Sequence, residues 1–295
     1  MISDYRCFFC FIRAFEKLLE KEELSGVKKG SFIIDMISLY QNSYHSFSAP
    51  LFSRELHYIL RKYTNNPDPY LKEKKENNQE ALRMVPYLEK LISESEDTFN
   101  TALRIAIAGN IIDFAANDDF NMHSTIQRAL TSKIAIDHSV QLKEAIKNAD
   151  NVLYLGDNAG EIVFDKLFIR TLNHSRVTYV VRSGPILNDA TMEDAEFAGM
   201  KELANVISSG YDAPSTIPDK SGREFQQFFN EADVIISKGQ GNLEGLIALN
   251  DKRIFFLLMV KCDVMSEFIG VDKNSFVVFN SSYQKPDYGK VDLKK

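Results

Sequence analysis

The sequence predicts an α/β fold in which a Rossmann-like, mainly parallel sheet with helices on both faces follows an all-α N-terminal part. Up to about residue 148, apolar residues recur at the period of a helix with one buried face. From residue 149 onward, short β-branched or aromatic runs alternate with helical stretches, which is typical of right-handed βαβ units. We therefore expect an α-helical part at residues 1–148 and an α/β domain at residues 149–295.

The elements of both parts follow from the spacing of their apolar residues. Helices are predicted at about 8–19, 32–40, 48–60, 80–95 and 98–115. The very polar stretch 72–79 is expected to be an exposed helix turn or loop rather than a binding patch. Strands are predicted at 152–155, 177–181, 205–208, 234–237, 254–259 and 276–279.

The composition limits the classes of function. With 21 Phe, 12 Tyr and 44% hydrophobic residues, the chain can bury a large core without disulfides. Its formal net charge of -6 argues against a general nucleic-acid binder, which needs a basic surface. No apolar run reaches the roughly 20 residues that span a bilayer, and the N-terminus does not resemble a signal peptide. The cytosol is the expected compartment, with no membrane or nucleic-acid partner.

The segment after the first predicted strand is acidic and contains two glycines. It reads Gly156-Asp157-Asn158-Ala159-Gly160-Glu161 and leads directly into an apolar helix. Ligands of parallel sheets bind where the strands end, and a helix N-terminus offers N–H groups to an anion. Because acidic residues alone repel phosphate, this turn indicates that a cation lies between the acidic residues and the ligand.

The second strand leads to Asn188 and Asp189. If the first two strands are neighbours, Asp157 and Asp189 face each other across one crevice. Two carboxylates and the amide oxygen of Asn158 are hard ligands that suit Mg²⁺ or Mn²⁺. The residues alone leave another interpretation open, in which Asp157 caps its helix and Asn188 or Asp189 shapes a turn.

The fourth strand leads into Ser237-Lys238-Gly239-Gln240-Gly241-Asn242, which opens a further helix. Lys238 at a strand end among glycines could contact a phosphate as a point charge, or it could be an exposed lysine in a turn. The glycine spacing is also a weak dinucleotide signal, although it does not follow the first strand.

Taken together, these segments resemble the damage-control phosphatase family, also known as domain of unknown function 89. The resemblance includes 108–114, the Cys7-x-x-Cys10 motif of the microbial branch, and Lys261-Cys262, so it covers nearly the whole chain. It implies a metal-dependent phosphatase acting on damaged or surplus metabolites, including sugar phosphates. One departure is Asp263, where the family pattern leads us to expect proline.

The resemblance also implies roles for single residues. Asp157, Asn158 and Asp189 would hold the metal ion, and Lys238 would contact the phosphate. Further residues expected around the phosphate are Gly160, Glu161, Asn110, Asp113, Asn188, Gly239 and Asn242. A bound Mg²⁺ or Mn²⁺ would polarise a phosphoryl oxygen. We expect water rather than Asp157 to attack, because aspartyl-phosphatases usually show two aspartates separated by one residue.

The three cysteines carry a weaker signal. Cys7 and Cys10 share a helix face, and with Cys262 they form a second metal or redox site, or they are reduced thiols that pack as small apolar groups. Two other functions stay open from the residues alone: a nucleotide- or S-adenosylmethionine-dependent transferase, and a non-catalytic metabolite-binding protein. The sequence leaves the substrate and the oligomeric state undetermined.

Overall fold

The computed structural model describes residues 2–109, 122–283 and 292–293. The strands are β1 (Ile2–Ser3), β2 (Ile134–Asp137), β3 (Val152–Leu155), β4 (Val177–Val181), β5 (Asn205–Ser208), β6 (Val234–Lys238), β7 (Ile254–Met259), β8 (Phe276–Phe279) and β9 (Asp292–Leu293). The helices are α1 (Tyr5–Lys21), α2 (Gly26–Ser43), α3 (Ala49–Thr64), α4 (Leu71–Ser93), α5 (Thr98–Gly109), α6 (Met122–Thr131), α7 (Ser139–Asn148), α8 (Glu161–Leu172), α9 (Met192–Phe197), α10 (Arg223–Glu231), α11 (Gly239–Leu246) and α12 (Asp263–Ile269).

Seven strands form one sheet in the spatial order β2-β8-β7-β6-β3-β4-β5. Neighbouring strands are parallel except for β7 and β8. The predicted mainly parallel sheet is therefore confirmed, and each of the six predicted strands is present. Edge strand β2 was not predicted, and it comes from before residue 149. The division into parts 1–148 and 149–295 stays a prediction.

The sheet is buried on both faces, which explains why its strands are continuously apolar. Strands β3, β4, β6 and β7 are buried at every position. Apolar side chains of α4, α5 and α8 form a core with one face, and those of α10, α11 and α12 form a core with the other. A third apolar cluster joins α1, α2 and α3. Within the described ranges, no helix is long and apolar enough to cross a membrane.

The polar stretch 72–79 differs from its prediction. It is part of the continuous helix α4, and three of its side chains, Lys74, Asn77 and Asn78, are buried. The Lys74 ammonium pairs with Asp68 at 2.8 Å, and Asn78 Nδ2 donates to Asp194 Oδ1 at 2.8 Å. The prediction that this stretch is exposed was wrong because Asp194, which balances this polar face, lies more than a hundred residues away in sequence.

Candidate active site

Strand β3 lies between β4 and β6. The chain continues from β3 to β4 and β5 on one side and then crosses to β6 and β7 on the other side. Such a switch point opens a crevice at the carboxyl ends of the strands. The loops after β3 and β4 and the start of α11 after β6 meet there. The topology therefore brings Asp157, Asp189 and Lys238 to one edge of the sheet, as the sequence predicted.

Backbone hydrogen bonds hold the two acidic loops side by side. Asn158 and Asp189 form an antiparallel bridge. The N–H of Ala159 donates to the carbonyl of Asn188, and the N–H of Ala190 donates to the carbonyl of Asp157, both at 2.8 Å. Asp157 and Asp189 are therefore held beside each other in one crevice, as expected if β3 and β4 are neighbours.

The Asp157 carboxylate lies against the first residue of α11. A Cβ on Gly239 would stand 1.8 Å from Asp157 Oδ2, and the φ of Gly239 is +79°. Position 239 therefore requires glycine, both for the backbone conformation and for the space that Asp157 occupies. On its other side, the Asn158 amide nitrogen donates to Asp157 Oδ2 at 3.1 Å and to Glu161 Oε2 at 3.2 Å.

Arg182 is a buried residue of the site that the sequence analysis missed. Its guanidinium donates to Asp189 Oδ2 at 2.6 Å and to Asn242 Oδ1 at 2.9 Å. The Asn242 amide in turn donates to the carbonyl of Gly156 at 3.1 Å. Asn242, expected near the phosphate, therefore links Arg182 to the end of β3. The sequence signal that could have identified Arg182 is its position directly after the run of β-branched and aromatic residues that forms strand β4.

Lys238 is fully buried, and its ammonium has three acceptors. It donates to the carbonyl of Ala106 at 2.8 Å, to Glu161 Oε1 at 2.6 Å and to Asp165 Oδ1 at 2.5 Å. Asp165 also accepts hydrogen bonds from the hydroxyls of Tyr154 and Tyr179. Because an ammonium has three hydrogens, a direct phosphate contact by Lys238 requires one of these bonds to be exchanged.

The site holds more buried carboxyl groups than its buried cations can pair with. Four carboxylates contact or adjoin two cations; the carboxylates are Asp157, Glu161, Asp165 and Asp189, and the cations are Lys238 and Arg182. Burial, with the charges of Glu161 and Asp189, raises the pKa of Asp157 to about 8. Burial also raises the pKa of Asp189, although Arg182 opposes the rise. This excess of two carboxylates fits the charge of a divalent cation.

The donor set fits such an ion in its chemistry. No three His, Cys, Asp or Glu side chains in the described part of the chain are grouped to hold a metal ion by themselves. The candidate donors are the two carboxylates of Asp157 and Asp189 together with the Asn158 amide. A small octahedral ion such as Mg²⁺ usually keeps several waters, so it needs few protein ligands.

The start of α8 is already occupied by protein groups. The N–H of Gly160 donates to Asn78 Oδ1 at 2.6 Å, and the N–H of Val163 donates to the carbonyl of Gly160 at 3.1 Å. The expectation that this turn offers free N–H groups to an anion therefore fails at Gly160. Helix α4 supplies the acceptor, a contact between residues 82 positions apart that no local pattern reveals.

Lys261 supplies a less buried cation to the site. It follows β7, where its N–H donates to Gln240 Oε1 at 3.0 Å, and its side chain is half-buried. Its charge is near enough to Asp157 to lower the pKa of that carboxyl, against the larger effect of burial. The sequence had indicated Lys261 only as part of the family resemblance.

A surface cavity of about 660 Å³ lies away from this site. Its lining includes Asn151, Arg176 and Asn205, which precede or begin β3, β4 and β5. It is therefore at the amino ends of the strands, whereas the acidic cluster is at their carboxyl ends.

Comparison with known proteins assigns the chain to a family. The family model for the damage-control phosphatase ARMT1-like domain matches residues 3–277. The chain belongs to the damage-control phosphatase family. It is 32% identical over 289 residues to a damage-control phosphatase of Pyrococcus horikoshii, covering 96% of this chain and all of that protein. A damage-control phosphatase of Archaeoglobus fulgidus is 33% identical over 217 residues, 71% of this chain and 75% of that protein.

The fold of this phosphatase agrees with a solved structure. The crystal structure of a DUF89 family protein from Pyrococcus horikoshii superposes with a TM-score of 0.85 at 32% identity, covering 95% of this chain and 99% of that one. An uncharacterised protein of Methanocaldococcus jannaschii is 38% identical over 230 residues, 74% of this chain and 75% of that protein. The resemblance inferred from the sequence motifs is thereby confirmed.

Some predicted site residues of this phosphatase have no established place in the crevice. Asn110 and Asp113 lie outside the described residues. Cys7 and Cys262 are half-buried, Cys10 is exposed, and all three are free thiols. Burial, with the nearby Glu244 charge, raises the pKa of Cys7 to about 12, so its thiolate is scarce at neutral pH. A metal or redox role for the cysteines stays a prediction.

The contact between Gly239 and Asp157 yields a test of the site. We predict that Gly239→Ala lowers the phosphatase kcat/KM by at least about 100-fold, because the added Cβ displaces the Asp157 carboxylate. Gly270→Ala is the matched control, since Gly270 has the same φ of +79° and no atom within 4 Å of the added Cβ. Both variants lose about 1–2 kcal/mol of unfolding free energy from backbone strain. Equal kcat/KM values in the two variants would contradict the placement of Asp157.

Proposed function

We propose that this protein is a metal-dependent phosphatase that hydrolyses monoesters of small phosphorylated metabolites, such as sugar phosphates, in metabolite damage control. The observation that carries the proposal is the excess of buried carboxyl groups over buried cations at the switch point of the sheet. Two relatives that align with 96% and 71% of this chain are named damage-control phosphatases, which supports the same reaction class for this protein.

We propose that Asp157, Asn158 and Asp189 hold the cation. Asn158 would use its amide oxygen, because its amide nitrogen is a donor and cannot ligate. Asp189 Oδ2 is engaged by Arg182, so Asp189 would contribute its other oxygen. When bound, Mn²⁺, Mg²⁺ or a similar ion would act as a Lewis acid toward the phosphoryl group.

The remaining side chains of the site position these ligands and balance their charge. Arg182 fixes one oxygen of Asp189, and its buried guanidinium lies 3.9 Å from Asp157. Lys238 fixes Glu161 and Asp165 below the crevice. Among the cations of the site, Lys261 is the one that fits a phosphate contact best, because it is half-buried rather than enclosed by carboxylates.

Metal dependence is tested by removing the metal. We expect phosphate release from a panel of sugar, cofactor and nucleotide phosphates to stop after thorough chelation. Mn²⁺ or Mg²⁺ should restore it, and Ca²⁺ should restore it poorly, because Ca²⁺ prefers more ligands at longer distances. Full activity of the chelated protein would contradict metal dependence. Metal binding without release from any ester would instead identify a metabolite-binding protein.

Variants of the two aspartates separate metal binding from stability. Asp157→Asn removes a carboxylate whose pKa burial and neighbouring charges raise to about 8, so the unfolding free energy should not fall. Asp189→Asn leaves the buried Arg182 without its carboxylate, which costs roughly 3–5 kcal/mol. Both variants should lose Mn²⁺ binding in calorimetric titrations and lose turnover. The double variant should have hardly less turnover than either single one.

Asp157→Asn gives the cleaner of the two results, because it removes the ligand charge without stranding a cation. If this variant binds Mn²⁺ as tightly as the parent and still releases phosphate, Asp157 is not a metal ligand. Loss of a helix cap cannot mimic the expected effect, because the N-cap of α8 is Gly160 and asparagine is in any case as good an N-cap as aspartate.

The two lysines are expected to behave differently. Lys261→Ala should lower kcat/KM by about 30- to 1,000-fold while the melting temperature and Mn²⁺ affinity stay near the parent values. Lys238→Met should lower the unfolding free energy by about 3–5 kcal/mol, because it leaves Glu161 and Asp165 buried without their cation. If Lys261→Ala keeps the parent kcat/KM and Lys238→Met is stable but inactive, the phosphate contact is made by Lys238 instead.

A further inference from the structure

Asn77 has a buried hydrogen-bond donor that is not used within the described part of the chain. The side chain is 2% exposed, and its Nδ2 has no hydrogen-bond partner among the residues that the structure describes. Buried amide groups are nearly always paired, because an unpaired one loses its bonds to water without replacement. An unpaired donor beside a candidate active site therefore indicates a group that pairs when a ligand is bound.

Asn77 lies directly against the turn that carries the candidate ligands. A Cβ on Gly160 would stand 3.2 Å from both Asn77 Cβ and the Asn77 carbonyl oxygen. Gly160 has φ +77° and follows Asn158 by two residues. On the far side, a Cβ on Gly109 would stand 3.0 Å from Glu161 Cγ, so α5 ends at the same turn. Helices α4, α5 and α8 therefore converge where Asn77 is buried.

The neighbouring polar residues of α4 make a direct contrast with Asn77. Asn78 accepts from Gly160 N–H and donates to Asp194, and Lys74 pairs with Asp68 and Asp194. These contacts hold α4 onto the site. Asn77 shares their buried face, yet its amide nitrogen takes no part in holding the helix. The side chains of Lys74 and Asn78 thus make the polar contacts that hold this face of α4 in place.

We propose that Asn77 is a substrate-binding residue whose side-chain amide donates a hydrogen bond to an oxygen of the phosphorylated substrate. The inference rests on the proposed phosphatase function and adds a specificity-determining residue to it. A hydrogen-bond donor suits this position because the surrounding carboxylates repel an anionic substrate. The donor is neutral, and a further buried ammonium in its place would alter the charge balance of these carboxylates. The acceptor is a phosphoryl oxygen or a hydroxyl of the organic part.

The test compares Asn77→Leu and Asn77→Asp with Asn78→Leu in the full chain. Aspartate keeps the shape and volume of asparagine, leucine keeps its branching at Cγ, and both remove its amide donor. The measurements are the melting temperature, Mn²⁺ affinity, calorimetric binding of orthophosphate to the Mn²⁺-loaded protein, and KM and kcat for the best ester of the panel. Asn78→Leu is the matched control, because the same residue type one position away has both side-chain groups paired.

We expect Asn77→Leu to keep the parent melting temperature and Mn²⁺ affinity while ester KM rises about 10- to 100-fold, the size of one hydrogen bond to a charged acceptor. Asn77→Asp should weaken binding further through repulsion. Asn78→Leu should instead lower the melting temperature, because Gly160 N–H and Asp194 lose their partner. Weaker orthophosphate binding in the Asn77 variants assigns the contact to the phosphoryl group, whereas a change in ester KM alone assigns it to the organic part.

The outcomes also separate this inference from the proposed function. An active parent whose Asn77 variants keep the parent KM and orthophosphate affinity would overturn the role of Asn77 and leave the phosphatase function standing. The same holds if Asn77→Leu melts as low as Asn78→Leu while Asn77→Asp folds and binds substrate normally. A parent protein that releases no phosphate from any ester and binds no orthophosphate would overturn both.

Discussion

The structure depends on one electrostatic constraint, the concentration of buried carboxylates at the carboxyl ends of β3, β4 and β6. A carboxylate can be taken out of water only when a cation or hydrogen-bond donors replace the lost hydration. Arg182 and Lys238 meet part of this need, because Arg182 donates to Asp189 and Lys238 donates to Glu161 and Asp165. Burial and the neighbouring charges of Glu161 and Asp189 raise the pKa of Asp157 to about 8. The proposed divalent cation would balance the charge of these carboxylates. Burying these carboxyl groups thus lowers local stability, and it holds the charged groups of the site in a fixed arrangement.

The helical N-terminal part is a structural component of this site. Ala106 of α5 accepts from Lys238, and Asn78 of α4 accepts from Gly160. On α3, Arg61 donates to the carbonyl of Pro185 at 3.0 Å, in the loop that leads to Asp189. That loop contains Leu187 at φ +46°, an uncommon conformation for leucine that neighbouring contacts must maintain. Helices from before residue 110 therefore fix the loops that carry the candidate ligands.

The success of the sequence predictions follows the range of the interactions involved. Strands such as Val177–Val181 were placed correctly because their apolar, β-branched character is a local property. Strand Ile134–Asp137 was missed because it is a short edge strand, buried only at alternate positions. The side chains of Lys74, Asn77 and Asn78 were interpreted as exposed because their polarity is balanced by groups distant in sequence.

The sequence by itself determined the parallel sheet and the family, because the apolar period and the motifs lie in consecutive residues. It also led to the proposal that Asp157, Asn158 and Asp189 are metal ligands. Only the tertiary structure decided what each charge contacts. Lys238 reads locally as a lysine among glycines, yet it is enclosed by Glu161 and Asp165, 77 and 73 residues away. The physical reason is that the energy of a buried charge depends on its neighbours in space, and the crossing of β3, β4 and β6 sets those neighbours.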